Sequence, residues 1–290
     1  MGVVSEVRAA ARVRSVWQVS ARPTLTMIRL DIFSALTALA PYAVVAVATG
    51  LAGFLLQNDL HRIQEDGLLV LGDPFAVPLY GGVLLLAVYL ATSAAMAAAR
   101  EREHGAVELL YYGPVSSFSY LLAKLCGHVL QYAVLLVLLL GSYVLLALVT
   151  GLHMRETTVL AMILSIGPAA AATTLGLLVA ALVHRLRPAL LAVLGVALGA
   201  VGLQVAREIL ARLPAPEYHV NPVQVLRWAA FAISSITQWV LPFGYVDREL
   251  SAMLRGDLAG GLVAAGAAGV YAVVVLVLAA AGLDRTGIRR

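Results

Sequence analysis

Charge is what this chain lacks. Of its 290 residues only 12% are Asp, Glu, Lys or Arg, against 61% apolar types, and the mean hydropathy is +0.92. A soluble domain carries about 25% charged residues. So little charge cannot cover a water-facing surface, which excludes a soluble globular enzyme. Disorder is excluded too, because disordered chains are poor in apolar residues. Cysteine is nearly missing. Cys126 stands alone, so the chain can form neither an intrachain disulfide nor a Cys-based zinc site. Lysine is equally scarce: Lys124 is one of 20 basic residues, the rest being Arg, and it follows Ser-Tyr-Leu-Leu-Ala rather than a glycine-rich loop. There is no G-x-x-x-x-G-K-[ST] phosphate loop, no H-E-x-x-H, no C-x-x-C, and no G-x-G-x-x-G opening a helix after a strand. Catalytic, cofactor and metal sites on this chain are therefore not expected.

Long apolar runs are what the chain has. A bilayer-crossing helix needs about 20 mostly apolar residues. Six stretches free of Asp, Glu, Lys and Arg meet or approach that length: 35–56, 75–99, 129–149, 158–183, 189–206 and 259–283. The fifth can extend past Arg207 if that side chain reaches for the interface. None shows the period-2 alternation of a barrel strand. Backbone groups in lipid must be satisfied internally, so these are helices. The expected fold is an all-α membrane protein, one transmembrane domain over 1–290.

The N-terminus is not a secretory signal. Its first apolar span begins near Ala35, behind five Arg residues, and no small-residue cleavage site ends it. Basic residues favour the cytoplasmic side. With the N-terminus inside, the cytoplasm receives Arg8, Arg12, Arg14, Arg22, Arg29, Arg100, Arg102, Lys124, Arg185, Arg187, Arg285, Arg289 and Arg290, while the two short outer loops hold Arg62 and Arg155. This predicts a multi-pass protein of the cell membrane with both termini cytoplasmic.

Two segments lie outside the spans without being tails. Over 12–34, Val13, Val16 and Trp17 share one helical face, as do Leu25, Ile28 and Ile32, and Pro23 separates the two stretches. This reads as an amphipathic interfacial helix on the cytoplasmic side, or as a plain membrane anchor. The connection 207–258 is expected outside. Within it, 228–241 is apolar but short, bracketed by Trp228 and Trp239 and followed by Pro242. A re-entrant or interface-lying element fits this pattern. A short seventh span is the alternative, and it would put the Arg-rich C-terminus outside. Trp17, Trp228 and Trp239 are expected as interface anchors.

The span interiors offer little chemistry. They hold no acid, Lys or Arg, and His128 and His184 sit at span ends. Ion-coupled carriers keep ionisable groups at mid-membrane, so self-powered transport and a proton relay are both disfavoured. Ser142 and Ser165 read as small packing residues rather than as an intramembrane hydrolase nucleophile. Gly195, Gly199 and Gly202 form a small-residue stripe, as do Gly261, Gly266 and Gly269. Such faces let helices approach closely, either within one bundle or between subunits. Gly167-Pro168 should kink the fourth span.

The most informative stretch is 100–128, a cytoplasmic loop between the second and third spans. It opens with Arg100, Glu101, Arg102, Glu103 and His104, and Glu108 follows. Val107, Leu110 and Tyr111 form an apolar set at helical spacing, Gly113-Pro114 breaks the helix, and Ser116 or Ser117 can cap the next one. A short amphipathic helix with a charged face is expected. Its alternative is a solvated loop.

The run E-R-E-x-G-x-x-E-L-L-x-x-x-P-V-S followed by L-x-x-K resembles the cytoplasmic loop of ABC-transporter permeases of the type-2, or export, class. It is carried here by Glu101, Arg102, Glu103, Gly105, Glu108, Leu109, Leu110, Pro114, Val115, Ser116, Leu121 and Lys124. Ala106 and Gly113 depart from the family's usual hydroxyl residues, and the N-terminal helix lacks its frequent Lys-Glu pair. Leu241-Pro-Phe-Gly-Tyr-Val-Asp-Arg before the last span, with Arg255-Gly-Asp257 after it, is a weaker likeness. The resemblance implies a membrane-spanning permease subunit of an exporter. A separate ATP-binding-cassette ATPase would carry ATP and Mg. Glu101, Arg102, Glu103, Gly105, Val107, Glu108, Leu110, Tyr111 and Pro114 would form the coupling helix that docks on it. A second permease subunit, self or sister, would pair through the Gly195/Gly199/Gly202 face. The lipid bilayer is the other partner, with no nucleic acid. Rival readings are a secondary carrier or channel and a non-transporting membrane scaffold. A nearly uncharged lumen suits amphipathic or lipid-like cargo.

Overall fold

A computed structural model describes residues 21–66, 73–105, 116–183, 185–212 and 222–287. The described residues are all-α, with ten helices. They are α1 (Ala21–Thr37), α2 (Ala40–Asp66), α3 (Ala76–Glu103), α4 (Ser117–Thr150), α5 (Glu156–Leu164), α6 (Ile166–Leu182), α7 (Leu186–Arg212), α8 (Pro222–Val240), α9 (Pro242–Leu254) and α10 (Leu258–Gly287). Six segments are long and apolar enough to cross a bilayer: Ala40–Asn58, Ala76–Glu103, Ser117–Thr150, Glu156–Leu182, Leu186–Ala211 and Leu258–Arg285. Each contains most of one of the six stretches expected from the sequence.

Several boundaries move. The first span begins at Ala40, not Ala35, because α1 runs on to Thr37 and the chain bends at Ala38 and Leu39. The third begins twelve residues before Val129. Ser116 caps α4 by accepting from the Ser119 amide at 3.2 Å, and such a cap satisfies one of the orphan N–H groups of a first turn. Lys124 and His128 therefore stand on a helix rather than in a loop. The fourth span breaks at Ser165, three residues before Pro168, which cannot donate to the Leu164 carbonyl one turn back.

The centre is built from α3 and α6, whose facing residues are small: Ala87, Ala91, Ala94, Ala95 and Ala98 on one side, Ala169, Ala172, Gly176 and Ala180 on the other. Lipid tails are as apolar as leucine, so helices in a membrane hold together by close packing. Gly176 shows how close: a Cβ there would strike the Ala91 carbonyl. α10 meets α6 in the same way, with the Ala265 carbonyl oxygen 2.8 Å from where a Gly167 Cβ would stand. Around this centre α2, α4 and α7 turn branched faces outward, including Val47, Val137, Leu145, Leu148 and Leu191.

The bundle has two ends, called lower and upper here. The lower end carries α1, the end of α3, the start of α4 and the end of α10. The upper end carries the α4–α5 turn, the start of α10 and the pair α8–α9. That pair is bent by 99° between Val240 and Pro242. Gly244 permits the bend, since a side chain there would collide with the Gln238 backbone. α9 then drives Phe243, Val246, Leu250 and Met253 into the core. Gly256, at φ +81°, ends α9 in the left-handed region. The Asp257 carboxylate then caps α10 by accepting from the Gly260 amide at 2.8 Å.

Candidate functional site: a polar cluster at the lower end

Around Lys124 the lower end gathers its charge. α4 presents Ser117, Tyr120, Lys124 and His128 on one helical face, at spacings of three and four residues. Lys124 is 5% exposed, and its Nζ lies 2.8 Å from Asp31 Oδ1 and 2.5 Å from Glu101 Oε1. The other Glu101 oxygen accepts from the Tyr120 hydroxyl at 2.7 Å. The Lys124 ammonium also sits 5.8 Å from the Tyr120 ring centroid. His128 Nδ1 lies 2.9 Å from the Lys124 carbonyl oxygen, one turn back. Below them Ser117 donates to Asp284 near the end of α10. Gly127 lets α1 come close enough for Asp31 to reach in, with Asp31 Cβ 3.2 Å from where a Gly127 side chain would begin.

Arg102 works beside this cluster. Its Nη1 donates to the Ala180 carbonyl at 2.8 Å and the Ala181 carbonyl at 2.6 Å. These belong to the last turn of α6, where helix carbonyls lack intrahelical partners and the dipole is negative. A cation fits both needs. Through Asp31, Glu101, Arg102, Lys124 and Asp284 the lower ends of α1, α3, α4, α6 and α10 are tied to the root of the 104–116 connection.

The expected coupling helix is partly redrawn. Glu101, Arg102 and Glu103 form the last turn of α3, and Gly105, at φ +72°, stops that helix. Glu101 and Glu108 therefore do not share one continuous helix. Glu101 and Arg102 turn toward the bundle, while Glu103 and His104 are exposed. Val107, Glu108, Leu110, Tyr111 and Pro114 lie outside the described residues, as does Trp17. The stripe Gly195, Gly199 and Gly202 is exposed, and among the described residues nothing comes within 4 Å of a Cβ at any of the three. The stripe packs no helix of its own bundle among the described residues. Trp228 is 81% exposed and Trp239 56%. Arg248 stacks over the Trp239 ring at 3.5 Å, and Tyr245 donates to the Trp239 carbonyl at 2.9 Å.

Sequence reasoning missed three acids. Asp31 and Asp284 flank the first and last spans, where nothing local marks them as partners of α4. Glu249 lies in the connection 207–258, yet α9 buries it completely. Among the described residues no group of three or more His, Cys, Asp or Glu is placed to hold a metal ion.

A profile of the ABC-2 family transporter protein matches residues 73–280. This chain belongs to the ABC-2 transporter family. The match starts just before α3 and ends within α10, so it covers the five spans after the first and the α8–α9 pair. No curated protein matches the chain. As an ABC-2 family member it is the membrane subunit of a transporter and not the catalytic one.

Proposed function

We propose that this protein is the permease subunit of an exporter powered by a separate ATP-binding-cassette ATPase, with the lower end in the cytoplasm and the 104–116 connection docking on that ATPase. The family match carries the reading. The basic residues at the lower ends of α3, α4, α7 and α10 support the orientation. The charge cluster supports the coupling, because a push on the connection would meet the ends of five helices at once. Glu108, with Val107, Leu110 and Tyr111, supplies oriented charge and an apolar anchor for the docking surface. The exposed Gly195/Gly199/Gly202 face of α7 is the surface for a second permease chain. The bent α8–α9 pair is a re-entrant element on the outer side, with Trp228 and Trp239 at the interface.

Co-expression with a candidate ATP-binding-cassette ATPase tests this directly. The wild-type chain should co-purify with that ATPase, and Glu108→Arg should lose it while still inserting in the membrane. Losing one partner of a desolvated charge contact costs about 2–5 kcal/mol, enough to weaken binding more than tenfold. Wild-type co-purification by Glu108→Arg would remove the docking assignment. ATP hydrolysis by the chain alone would contradict the division of labour.

A further inference from the structure

Glu249 is the one fully buried carboxylate among the described residues, and neither of its oxygens has a hydrogen-bond partner. It sits at the middle of α9, between the buried Val246 and Met253, on the wedge that inserts into the core. The Tyr132 hydroxyl, 2.6 Å from the Ser165 oxygen, lies within electrostatic reach of it. Among the described residues no cation neutralises it. On α9 itself Arg248 is stacked on Trp239 and Asp247 lies beside Gln238. From the helices packed on α9, the other titratable or charged side chains are held elsewhere. On α3, Tyr80 donates to Gln204 and Tyr89 accepts from Gln131, while the charged turn is at the far end. α5 has only Glu156, exposed in its first turn, and α6 has none. On α7 Arg187 is exposed and Arg207 donates to Ser234. On α8 Arg227 donates to Leu210. On α10 Tyr271 packs on Tyr245, and Asp284 and Arg285 are at the far end, while Asp257 before it caps Gly260.

An ionised carboxylate in such a place is strongly disfavoured, and the neutral acid is the form that can be buried. Ionisable groups kept inside membrane proteins mark ion or substrate paths. With no exposed surface left on Glu249, the ligand that fits beside it is a proton rather than a hydrated metal ion or an organic cation.

We propose that Glu249 is a proton-binding site that couples the seating of α9 to protonation. With α9 seated the carboxyl holds its proton. When α9 withdraws and water reaches Glu249, the O–H bond breaks, the proton goes to water, and the carboxylate keeps the electron pair. Low pH therefore favours the seated element. Rising pH favours withdrawal once it passes the ordinary carboxylate range, where the water-exposed acid ionises and the seated one does not, by up to about tenfold per pH unit for one proton, and the effect levels off where the seated acid would itself ionise.

The test uses the full chain in lipid nanodiscs, with Cys126→Ser removing the native thiol. Val246→Cys reports on the buried face of α9 and Gln224→Cys, exposed on α8, is the reference. Labelling by a membrane-permeant maleimide is measured between about pH 5.5 and about pH 8.5, and the ratio of the two rates cancels the thiol's own pH dependence. The ratio should rise steeply with pH when Glu249 is present and stay flat in Glu249→Gln. Glu249→Met, which is apolar and of similar length, should be flat as well and stands in if the glutamine variant does not fold. A flat ratio with Glu249 present, or a rise retained in either variant, overturns the proposal.

Discussion

The two ends of the bundle bury charge in opposite ways. At the lower end Lys124 is buried between Asp31 and Glu101, with Tyr120 donating to the second Glu101 oxygen. At the upper end Glu249 is buried alone. A paired ion in a low-dielectric interior has fixed geometry, and removing one partner leaves a costly orphan. A lone acid is stable only as its neutral form and can change state when its helix moves. The lower end is thus built to hold five helices in one arrangement, and the upper end to release one helix. The permease proposed above, driven at its lower end, would use that asymmetry.

Breaking the lower end should give the largest effect. Lys124→Met leaves the half-buried Asp31 and Glu101 without their cation, and should cost about 2–4 kcal/mol, less than in a fully buried pair because water reaches both carboxylates. Unfolding of the purified chain in detergent measures it. At the upper end the matching lesion is steric. Gly244→Ala puts a methyl group into the Gln238 backbone at the 99° bend, which should cost about 1–3 kcal/mol and displace α9. Cysteine accessibility at Val246 should rise with it. Arg102→Met leaves the Ala180 and Ala181 carbonyls without their side-chain donor. The expected loss is about 1–3 kcal/mol, and local hydrogen exchange at the end of α6 should speed up. Smallest in stability is Gly199→Leu, on a face that meets no other helix among the described residues. It should change single-chain stability by less than about 0.5 kcal/mol while reducing cross-linked dimer yield.

Much of the fold was legible because lipid makes a simple demand on sequence. Six uncharged runs had to be helices, and each contains the greater part of one observed span. Boundaries were harder. The helix start at Ser116 is legible as a cap, but placing the start of the third span at Val129 separates that helix from the span it continues into, because Lys124 and His128 are polar residues. A helix can carry such residues wherever a partner helix supplies their counter-groups, and Asp31 and Glu101 come from positions 93 and 23 residues away. That pairing is tertiary and leaves no local period. The motif around Glu101 was visible, yet its geometry was not: the helix stops at Gly105, and Glu101 and Arg102 face inward toward Lys124 and the α6 carbonyls. Glu249 escaped for a related reason. Spans were found by excluding acids, so an acid folded into the core by a re-entering helix could not register. The glycine stripe on α7 was seen, and the structure narrows its use, since no helix of its own bundle meets it among the described residues.

The claim that the lower end is a locked ionic junction is tested most directly by restoring neutrality. Unfolding is measured for Lys124→Met alone and for Lys124→Met combined with Asp31→Asn and Glu101→Gln. The single variant should lose about 2–4 kcal/mol, and the triple variant should recover most of that loss, because no uncompensated charge remains at the junction. A triple variant as unstable as the single one, or losses that simply add, would contradict the account.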